Sequence, residues 1–390
     1  MDWLVFFVIT ISLAIGFYLL RYGAQLKSLW GEPVLKYPVV IFESDDWGPA
    51  EDFEARRLTQ LAEVLSAYRD SMGRHPVMTL GVVLSVPDSA QIRNDGGARY
   101  HALRLDHPQF DAVRHAIMTG LEKGVFAAQL HGMAHYLPRT LLSAAEDDSR
   151  VADWLAQDKI ADPWELPSAL QSRWIDGSKL PTGGLGPELV LNEAAAEVRA
   201  FREVFGFPPE VAVPPTFIWT RQVEEGWASQ GIRYVMTPGR RYAGRDVVGR
   251  PVAVGGRIRN GQLSEIYPVR YLVRDVYFEP RLGHQAEEAV DAVTSMTRLG
   301  RPTLFETHRF NFNGPEEESD KSLQVLGKTL ELILKRHPGT RFLSSAELGR
   351  VMENNDPDWL ELGLLARFRY LLLRARTELP LVRRLFRVSP

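Results

Sequence analysis

The chain has 390 residues, of which 45% are hydrophobic and 24% are charged, and its formal net charge is -3 at pH 7. This composition is typical of a globular protein with a sizeable core, and the length allows one large domain or two ordinary ones. The absence of a basic excess argues against a nucleic-acid partner. The chain has no cysteine, which excludes disulfides, thiolate catalysis and Cys-type zinc sites. Histidine and carboxylate side chains are left as metal ligands.

The first element is an uncharged apolar run at residues 3–20, long enough to cross a bilayer as a helix. A cleaved signal peptide or a buried core helix are the alternatives, but no basic region precedes the run and no clear cleavage site follows it. We therefore predict a single-pass membrane anchor over residues 1–25. Arg21, Lys27 and Lys36 follow the run whereas Asp2 precedes it, which favours a catalytic domain on the cytoplasmic face.

Short apolar runs then alternate with helical patterns. Strands are predicted at residues 39–44, 77–84, 126–130, 211–213, 234–237, 303–307 and 342–344, and helices at 53–72, 110–123, 193–205, 222–230, 287–298 and 321–336. This alternation predicts an α/β fold, a (β/α)7–8 barrel-like domain over residues 33–350 with its active site at the carboxyl ends of the strands. Two stretches interrupt the pattern, an elaborated loop at 143–186 and a hairpin-like insertion at 239–262.

The last element, at residues 357–390, carries apolar side chains at helical spacing among many arginines. Pro380 is expected to break it into two pieces. This pattern is typical of a basic amphipathic helix that lies on a membrane, with its arginines on anionic lipid. The alternative is a helix packed on the domain with a solvated arginine face.

Adjacent carboxylates, Asp45 and Asp46, directly follow the first predicted strand. Two such groups after a buried run are costly unless something compensates them, and a cation is the usual compensation. The alternative is that Ser44 or one aspartate only caps the following helix.

Histidines follow two other predicted strands. His131 and His135 are four positions apart, which on a helical turn would let both imidazoles reach one ion. His308 ends a later strand. A lone histidine is more often structural than catalytic, but its place on the same face of the barrel favours a functional role.

The order strand–Asp-Asp, strand–H-x-x-x-H, strand–Pro214-Pro215 and strand–His308 resembles that of the NodB-type polysaccharide deacetylases, the family 4 carbohydrate esterases, of which the chain looks like a divergent member. The resemblance implies Asp45 as general base and His308 as general acid. It also implies that Asp46, His131 and His135 hold a divalent metal, with zinc as the expected ion.

The chain departs from the family pattern at several positions. Ser44 precedes the aspartates where the family has an aromatic residue, and Trp47 separates them from Gly48. The third motif lacks the arginine that in the family pairs with the base, so either another arginine (Arg221, Arg274 or Arg309) substitutes for it or Asp45 is tuned differently. Asp275 is the candidate carboxylate partner for the general acid. Candidate substrate contacts are Trp47, Pro215, Thr216, Trp219 and Arg309, and Phe310 is a further candidate for stacking on a sugar. The aromatic ones can equally belong to the core.

The expected activity is the removal of an acetyl or formyl group from the nitrogen of a sugar. The predicted anchor suggests a lipid-linked, envelope or exopolysaccharide glycan as substrate, with membrane lipid and polysaccharide-synthesis proteins as partners. The alternative is a degenerate module that binds glycan or acts as a scaffold. Protease chemistry of the zincin type would need a glutamate where Gly132 stands, and a two-metal phosphatase would need more carboxylates.

Overall fold

The computed structural model describes residues 2–379, apart from the side chains of residues 2, 4–5, 8–15, 17 and 19. The strands are β1 (Val39–Trp47), β2 (Met78–Val82), β3 (Ser85–Pro87), β4 (Ala102–Arg104), β5 (Phe126–Leu130), β6 (Val211–Ala212), β7 (Tyr234–Thr237), β8 (Arg241–Arg245), β9 (Pro251–Val254), β10 (Arg270–Val273), β11 (Val276–Tyr277), β12 (Thr303–His308) and β13 (Arg341–Phe342). The helices are α1 (Asp2–Gly31), α2 (Asp52–Ser66), α3 (Ser89–Asn94), α4 (Asp111–Glu122), α5 (Pro138–Asp147), α6 (Ser149–Ala156), α7 (Pro187–Phe205), α8 (Arg221–Ser229), α9 (Ala286–Arg298), α10 (Phe310–Asn313), α11 (Glu316–Arg336), α12 (Ser345–Glu353) and α13 (Leu364–Glu378).

The main sheet is parallel and has the strand order β10-β7-β6-β5-β2-β1-β12-β11, with β13 paired to the first two residues of β1. Its two edge strands, β10 and β11, are consecutive in the chain and separated only by Arg274 and Asp275. Two residues span only a short distance, so the sheet must curl until its edges are close together. The predicted parallel, barrel-like α/β domain is therefore confirmed, and Arg274 lies at the seam of the barrel.

Side chains along β1 alternate between the two faces of the sheet. Val39 and Ile41 belong to an interior core that α12 closes, whereas Val40 and Phe42 belong to the core shared with the outer helices. Continuing the alternation directs Glu43 and then Asp45 into the barrel. The apolar end of the barrel thus gives way to charged side chains as the strands approach their carboxyl ends.

Helix boundaries differ from the predictions where local chemistry sets them. The helix predicted at 321–336 begins earlier, at Glu316, because acidic residues in its first turn interact favourably with the helix dipole. The helix predicted at 53–72 ends at Ser66. After it, the side chain of Asp70 accepts hydrogen bonds from the backbone N–H groups of Met72 and Arg74, which favours a turn over further helix.

The two terminal helices pack against each other, with Leu29 of α1 buried against Ala375 of α13 and the adjoining Leu379. Arg374 on α13 is buried and donates hydrogen bonds to backbone carbonyls of Leu299, Glu32, Pro33 and Gly300. Arg374 therefore does not belong to an outward arginine face, because its guanidinium binds the carbonyls that follow the ends of α1 and α9. Leu364, Leu365 and Phe368 are instead 72%, 89% and 52% exposed. Pro380 and the rest of the predicted tail lie outside the described residues.

Among the residues that the structure describes, no helix combines the length and apolarity needed to cross a membrane. Most side chains of the predicted span at residues 3–20 are not among them, although the backbone there belongs to α1. The membrane anchor stays a prediction.

The two insertions meet over the carboxyl end of the barrel. The hairpin predicted at 239–262 is confirmed as the antiparallel pair β8–β9. The loop at 143–186 contains α6 and contributes side chains to a small hydrophobic cluster that is separate from the main core. The backbone N–H of Thr182 donates to the carbonyl of Arg245, and the N–H of Arg245 donates to the Thr182 hydroxyl, so the insertions are held together.

Candidate active site

A bulge at the end of β1 brings two adjacent carboxylates to the same side. Neighbouring residues of a strand normally face opposite ways, yet the pairing of β1 with β2 changes register between Ser44 and Trp47. Within the bulge Asp46 adopts a left-handed conformation with φ of 72°. This conformation costs a non-glycine residue about 1–3 kcal/mol and is found where the surrounding structure enforces it. It lets Asp45 and Asp46 face one site.

Asp46, His131 and His135 form a buried group whose ligand atoms all lie within 4.8 Å of one another. Asp46 Oδ1 is 3.2 Å from His131 Nε2 and 3.6 Å from His135 Nε2. It is buried and finds no hydrogen-bond partner in residues 2–379. Two ligand atoms bound to one tetrahedral ion at about 2.0–2.2 Å are about 3.3–3.6 Å apart, so these side chains fit a zinc-like ion.

The loop that carries both histidines is bent rather than helical, so the predicted helical turn is wrong. Gly132 explains the difference, because it adopts φ of 100°, which turns the chain directly after β5. The Nδ1 of His131 donates to the carbonyl of Val213 over 2.9 Å. That bond assigns the proton to Nδ1 and leaves Nε2 directed at Asp46, as metal-binding histidines require.

Two members of the group, Asp46 and His135, have the protonation states of metal ligands. Burial alone would raise the pKa of Asp46, but the adjacent imidazoles of His131 and His135 hold it below its ordinary value. Burial lowers the pKa of His135 to about 4, so this imidazole is neutral at pH 7. An ionised carboxylate and a neutral imidazole are the forms that bind metal.

Arg274 is the arginine that pairs with Asp45. Its Nη2 donates to Asp45 Oδ2, its Nη1 lies 3.4 Å from Glu43 Oε2, and its Nε lies 3.6 Å from Glu306 Oε2. Burial would raise the pKa of Asp45, but the Arg274 charge holds it below its usual range. Burial raises the pKa of Glu43 to about 7 and also raises that of Glu306. Arg274 thus keeps Asp45 ionised, while its other two carboxylate neighbours bind protons more readily.

The other two arginine candidates lie elsewhere. Arg221 is exposed and 3.7 Å from Glu265, and Arg309 pairs at 3.7 Å with Glu54. Gly81, on the neighbouring strand β2, was not predicted to matter. A Cβ at this position would collide with Asp45 Oδ1, so glycine makes the room that the Asp45 carboxylate occupies.

The carboxylate partner of His308 is Glu279, which follows β11. His308 Nδ1 donates to Glu279 Oε1 over 2.6 Å, and Thr307 and Asn311 donate to Glu279 Oε2. Burial would lower the pKa of His308, but the bond to Glu279 and the nearby aspartate charges raise it to about 9. Asp275 was the wrong candidate, because it lies on the far side of β11 and faces the charges of Arg301 and Arg257.

Asp45 and His308 are directly opposite each other in the register of β1 and β12, so the proposed base and acid are neighbours. They line one cavity of about 320 Å³. Its lining consists of Asp45, His131, His135, Trp164, Gln171, Pro214, Thr216, Phe217, Arg245, Arg274, Tyr277, Glu306 and His308.

Trp164, from the 143–186 insertion, covers the group formed by Asp46, His131 and His135. Its Nε1 donates to Asp46 Oδ2 over 2.9 Å, and its ring centroid lies 5.7 Å from those of both His135 and His308. It therefore orients the free oxygen of the carboxylate and forms an aromatic wall. Nothing in its sequence neighbourhood pointed to this place, because only the fold of the insertion brings it there.

The predicted substrate contacts divide into two groups. Thr216 lines the cavity and, with Phe217, adopts a left-handed conformation, at φ of 53° and 55°. Trp47 and Trp219 are buried in the core, where their indole N–H groups donate to Ser44 and Glu224. Pro215 is buried and Arg309 faces Glu54, and neither is part of the cavity lining. The positions of these four residues do not support direct substrate contact.

No family model and no curated protein matches the chain. Among solved structures, it is similar to a family 4 acetyl xylan esterase from Clostridium thermocellum in complex with a cobalt ion, with 13% identity, 80% of this chain and 91% of that chain covered, and a TM-score of 0.39. It is similar to the peptidoglycan deacetylase PdaC from Bacillus subtilis, with 11% identity, 83% and 95% covered, and a TM-score of 0.39. It is also similar to a 4-alpha-glucanotransferase from Thermococcus litoralis, with 9% identity, 80% and 40% covered, and a TM-score of 0.41.

Proposed function

We propose that the protein is a metal-dependent hydrolase that removes an N-acyl group, acetyl or formyl, from a sugar. One observation carries the proposal, the convergence of a buried Asp-His-His group with a paired aspartate and a paired histidine at one cavity. A general base and a general acid, each held by its own charged partner, suit the hydrolysis of an unreactive amide.

Asp46, His131 and His135 would hold the divalent ion, and their nitrogen and oxygen donors suit zinc. When bound, such an ion supplies Lewis-acid polarisation of the acyl carbonyl and lowers the pKa of water. Trp164 and Val213 hold Asp46 and His131 in the required orientation through their hydrogen bonds.

Asp45 would take the proton of the attacking water, because Arg274 keeps it ionised. His308, with a pKa of about 9, is protonated at neutral pH and would give the Nε2 proton to the departing amine. Glu279 holds the opposite ring nitrogen. A backbone N–H near Thr216 is the proposed donor to the tetrahedral oxyanion.

The alternative of a degenerate glycan-binding or scaffold module required that the metal group fail to converge or that the base and acid face away from it. The described residues meet neither condition, since Asp45 and His308 line the cavity with the two histidines. No observation favours that alternative.

A lipid-linked, envelope or exopolysaccharide glycan is the proposed substrate, handled at the cytoplasmic face by an anchored enzyme with lipid and polysaccharide-synthesis proteins as partners. The uncharged run at residues 3–20 and the exposed Leu364, Leu365 and Phe368 of the adjacent α13 support attachment to lipid. Fractionation of the full chain tests it. Recovery with membranes, resistant to high salt, is expected, whereas release by salt would contradict insertion.

The activity is tested with Asp45→Asn. This variant keeps the shape of the base but cannot accept the proton, so release of acetate or formate from an N-acylated oligosaccharide should fall by about 100-fold or more. Its metal content should match that of the unaltered protein. Loss of the metal would mean that Asp45, not Asp46, is the ligand, and unchanged hydrolysis would contradict the proposed role of Asp45.

A further inference from the structure

Arg245 is a buried cation in the catalytic cavity. It ends β8, is only 9% exposed, and lines the same cavity as Asp45, His131 and His308. Within residues 2–379 it makes no ion pair. Its Nη1 donates to the carbonyl of Gly249, and its Nε is buried without a hydrogen-bond partner in the described chain.

This arrangement differs from that of the other buried arginines in the described chain, each of which faces a carboxylate. The arginine-to-carboxylate pairs are Arg57 with Asp320, Arg173 with Glu193 and Glu197, Arg259 with Glu32 and Glu378, Arg274 with Glu43 and Asp45, Arg301 with Glu32 and Glu378, and Arg374 with Glu32. A buried charge is costly unless it is paired, so such partners are expected. The pKa of Arg245 is lowered by burial alone, consistent with the missing carboxylate.

The fold holds Arg245 in this position. Its backbone N–H and carbonyl both bond to Thr182, which ties β8 to the other insertion. The same insertion carries Trp164 over the metal group. Arg245 therefore belongs to a wall that both insertions form, in the same cavity that Asp45 and His308 line.

We propose that Arg245 binds a negatively charged group of the substrate, a carboxylate or a phosphate on the N-acylated sugar. The proposal rests on the proposed deacetylase function and narrows its substrates to anionic sugars. A guanidinium matches the paired oxygens of either group and binds them by charge-assisted hydrogen bonds. The hydroxyl of Thr216, which is buried without a hydrogen-bond partner in residues 2–379 and lines the same cavity, is a further donor there.

The test uses the metal-loaded full chain and three probes, methyl N-acetylglucosaminide, N-acetylmuramic acid and N-acetylglucosamine 1-phosphate. They are neutral, carboxylated and phosphorylated, and binding is measured by calorimetry alongside acetate release. The unaltered chain should bind at least one anionic probe at least tenfold more tightly than the neutral one. The anionic probe that binds more tightly shows whether Arg245 recognises a carboxylate or a phosphate.

Arg245→Gln should remove that preference, with about a 10- to 100-fold weaker Kd and higher KM for the preferred anionic probe and little change for the neutral one. Arg245→Lys should restore part of it. Arg250→Gln, an exposed arginine of the same hairpin, is the matched control and should change nothing. All variants carry the same metal group, so anion binding to the metal itself cancels in the comparison.

Three results would overturn the proposal. The first is an unaltered chain that does not prefer anionic probes. The second is an Arg245→Gln variant that keeps the preference, and the third is one that binds all three probes equally more weakly, as a purely structural residue would. Calorimetry separates this proposal from the proposed function. Anion preference without any acetate release would contradict deacetylation and leave the proposed anion site at Arg245 intact. Acetate release from the neutral sugar without anion preference would support deacetylation and contradict the anion site.

Discussion

Arg274 donates a hydrogen bond to Asp45 from the two-residue segment that joins the two edges of the sheet. Arg274, which follows β10, therefore takes the place of the arginine that the third motif lacks. This segment lies between the edge strands β10 and β11, and β1 is separated from β11 only by β12. The curl of the sheet thus brings a cation to the proposed base.

Arg274→Gln should move the acidic limb of the kcat/KM profile to higher pH. As the proposed base, Asp45 works only when ionised, so activity should be lost as the pH falls through its pKa, which Arg274 holds low. The variant should also lose about 3–5 kcal/mol of unfolding free energy, because three buried carboxylates lose their cation. Arg274→Lys keeps the charge, so its acidic limb and its unfolding free energy should lie between those of Arg274→Gln and those of the unaltered protein. An acidic limb unchanged in both variants would contradict the pairing.

Glu279→Gln should move the alkaline limb to lower pH by about one unit or more. His308 donates a proton only while protonated, so activity falls as the pH rises through its pKa of about 9. Without the Glu279 charge, the pKa of His308 falls and the loss of activity begins at a lower pH. Asp275→Asn is the control and should leave the alkaline limb in place, because Asp275 faces Arg301 and Arg257. A shift in the control and none in Glu279→Gln would reverse the assignment.

Trp164→Phe should weaken metal binding by about 10- to 100-fold, measured by competition with a chelator. The change keeps an aromatic ring but removes the N–H that orients Asp46. Trp359→Phe makes the same chemical change on the stack with Arg341 and should have no effect on the metal. Equal metal affinity in the Trp164 variant and the unaltered chain would show that the indole N–H is not used to orient the ligand.

The parallel sheet and the positions of Asp45, His131 and His308 were predictable because they follow from local patterns. Strand–helix alternation predicts the barrel, and parallel strands bring their carboxyl ends to one edge, so polar residues directly after strands meet there. Asp45, His131 and His308 follow this rule. Their positions could be predicted without knowledge of any loop.

The remaining features of the site depend on geometry that sequence spacing does not encode. Asp46 faces the site only through the bulge and its left-handed backbone, and His135 through the turn at Gly132. Glu279 reaches His308 across 29 residues of chain. Trp164 and Arg245 are positioned by insertions whose paths no strand or helix pattern predicts.

The most direct test of the central claim is a crystal structure of the zinc-loaded protein with anomalous diffraction recorded at the zinc edge. One peak is predicted, bound by Asp46, His131 and His135 at about 2.0–2.2 Å with at least one position open in the cavity and Asp45 beside it but unbound. A peak at other residues, a peak with all positions filled by protein side chains, or no peak at this group would contradict the account.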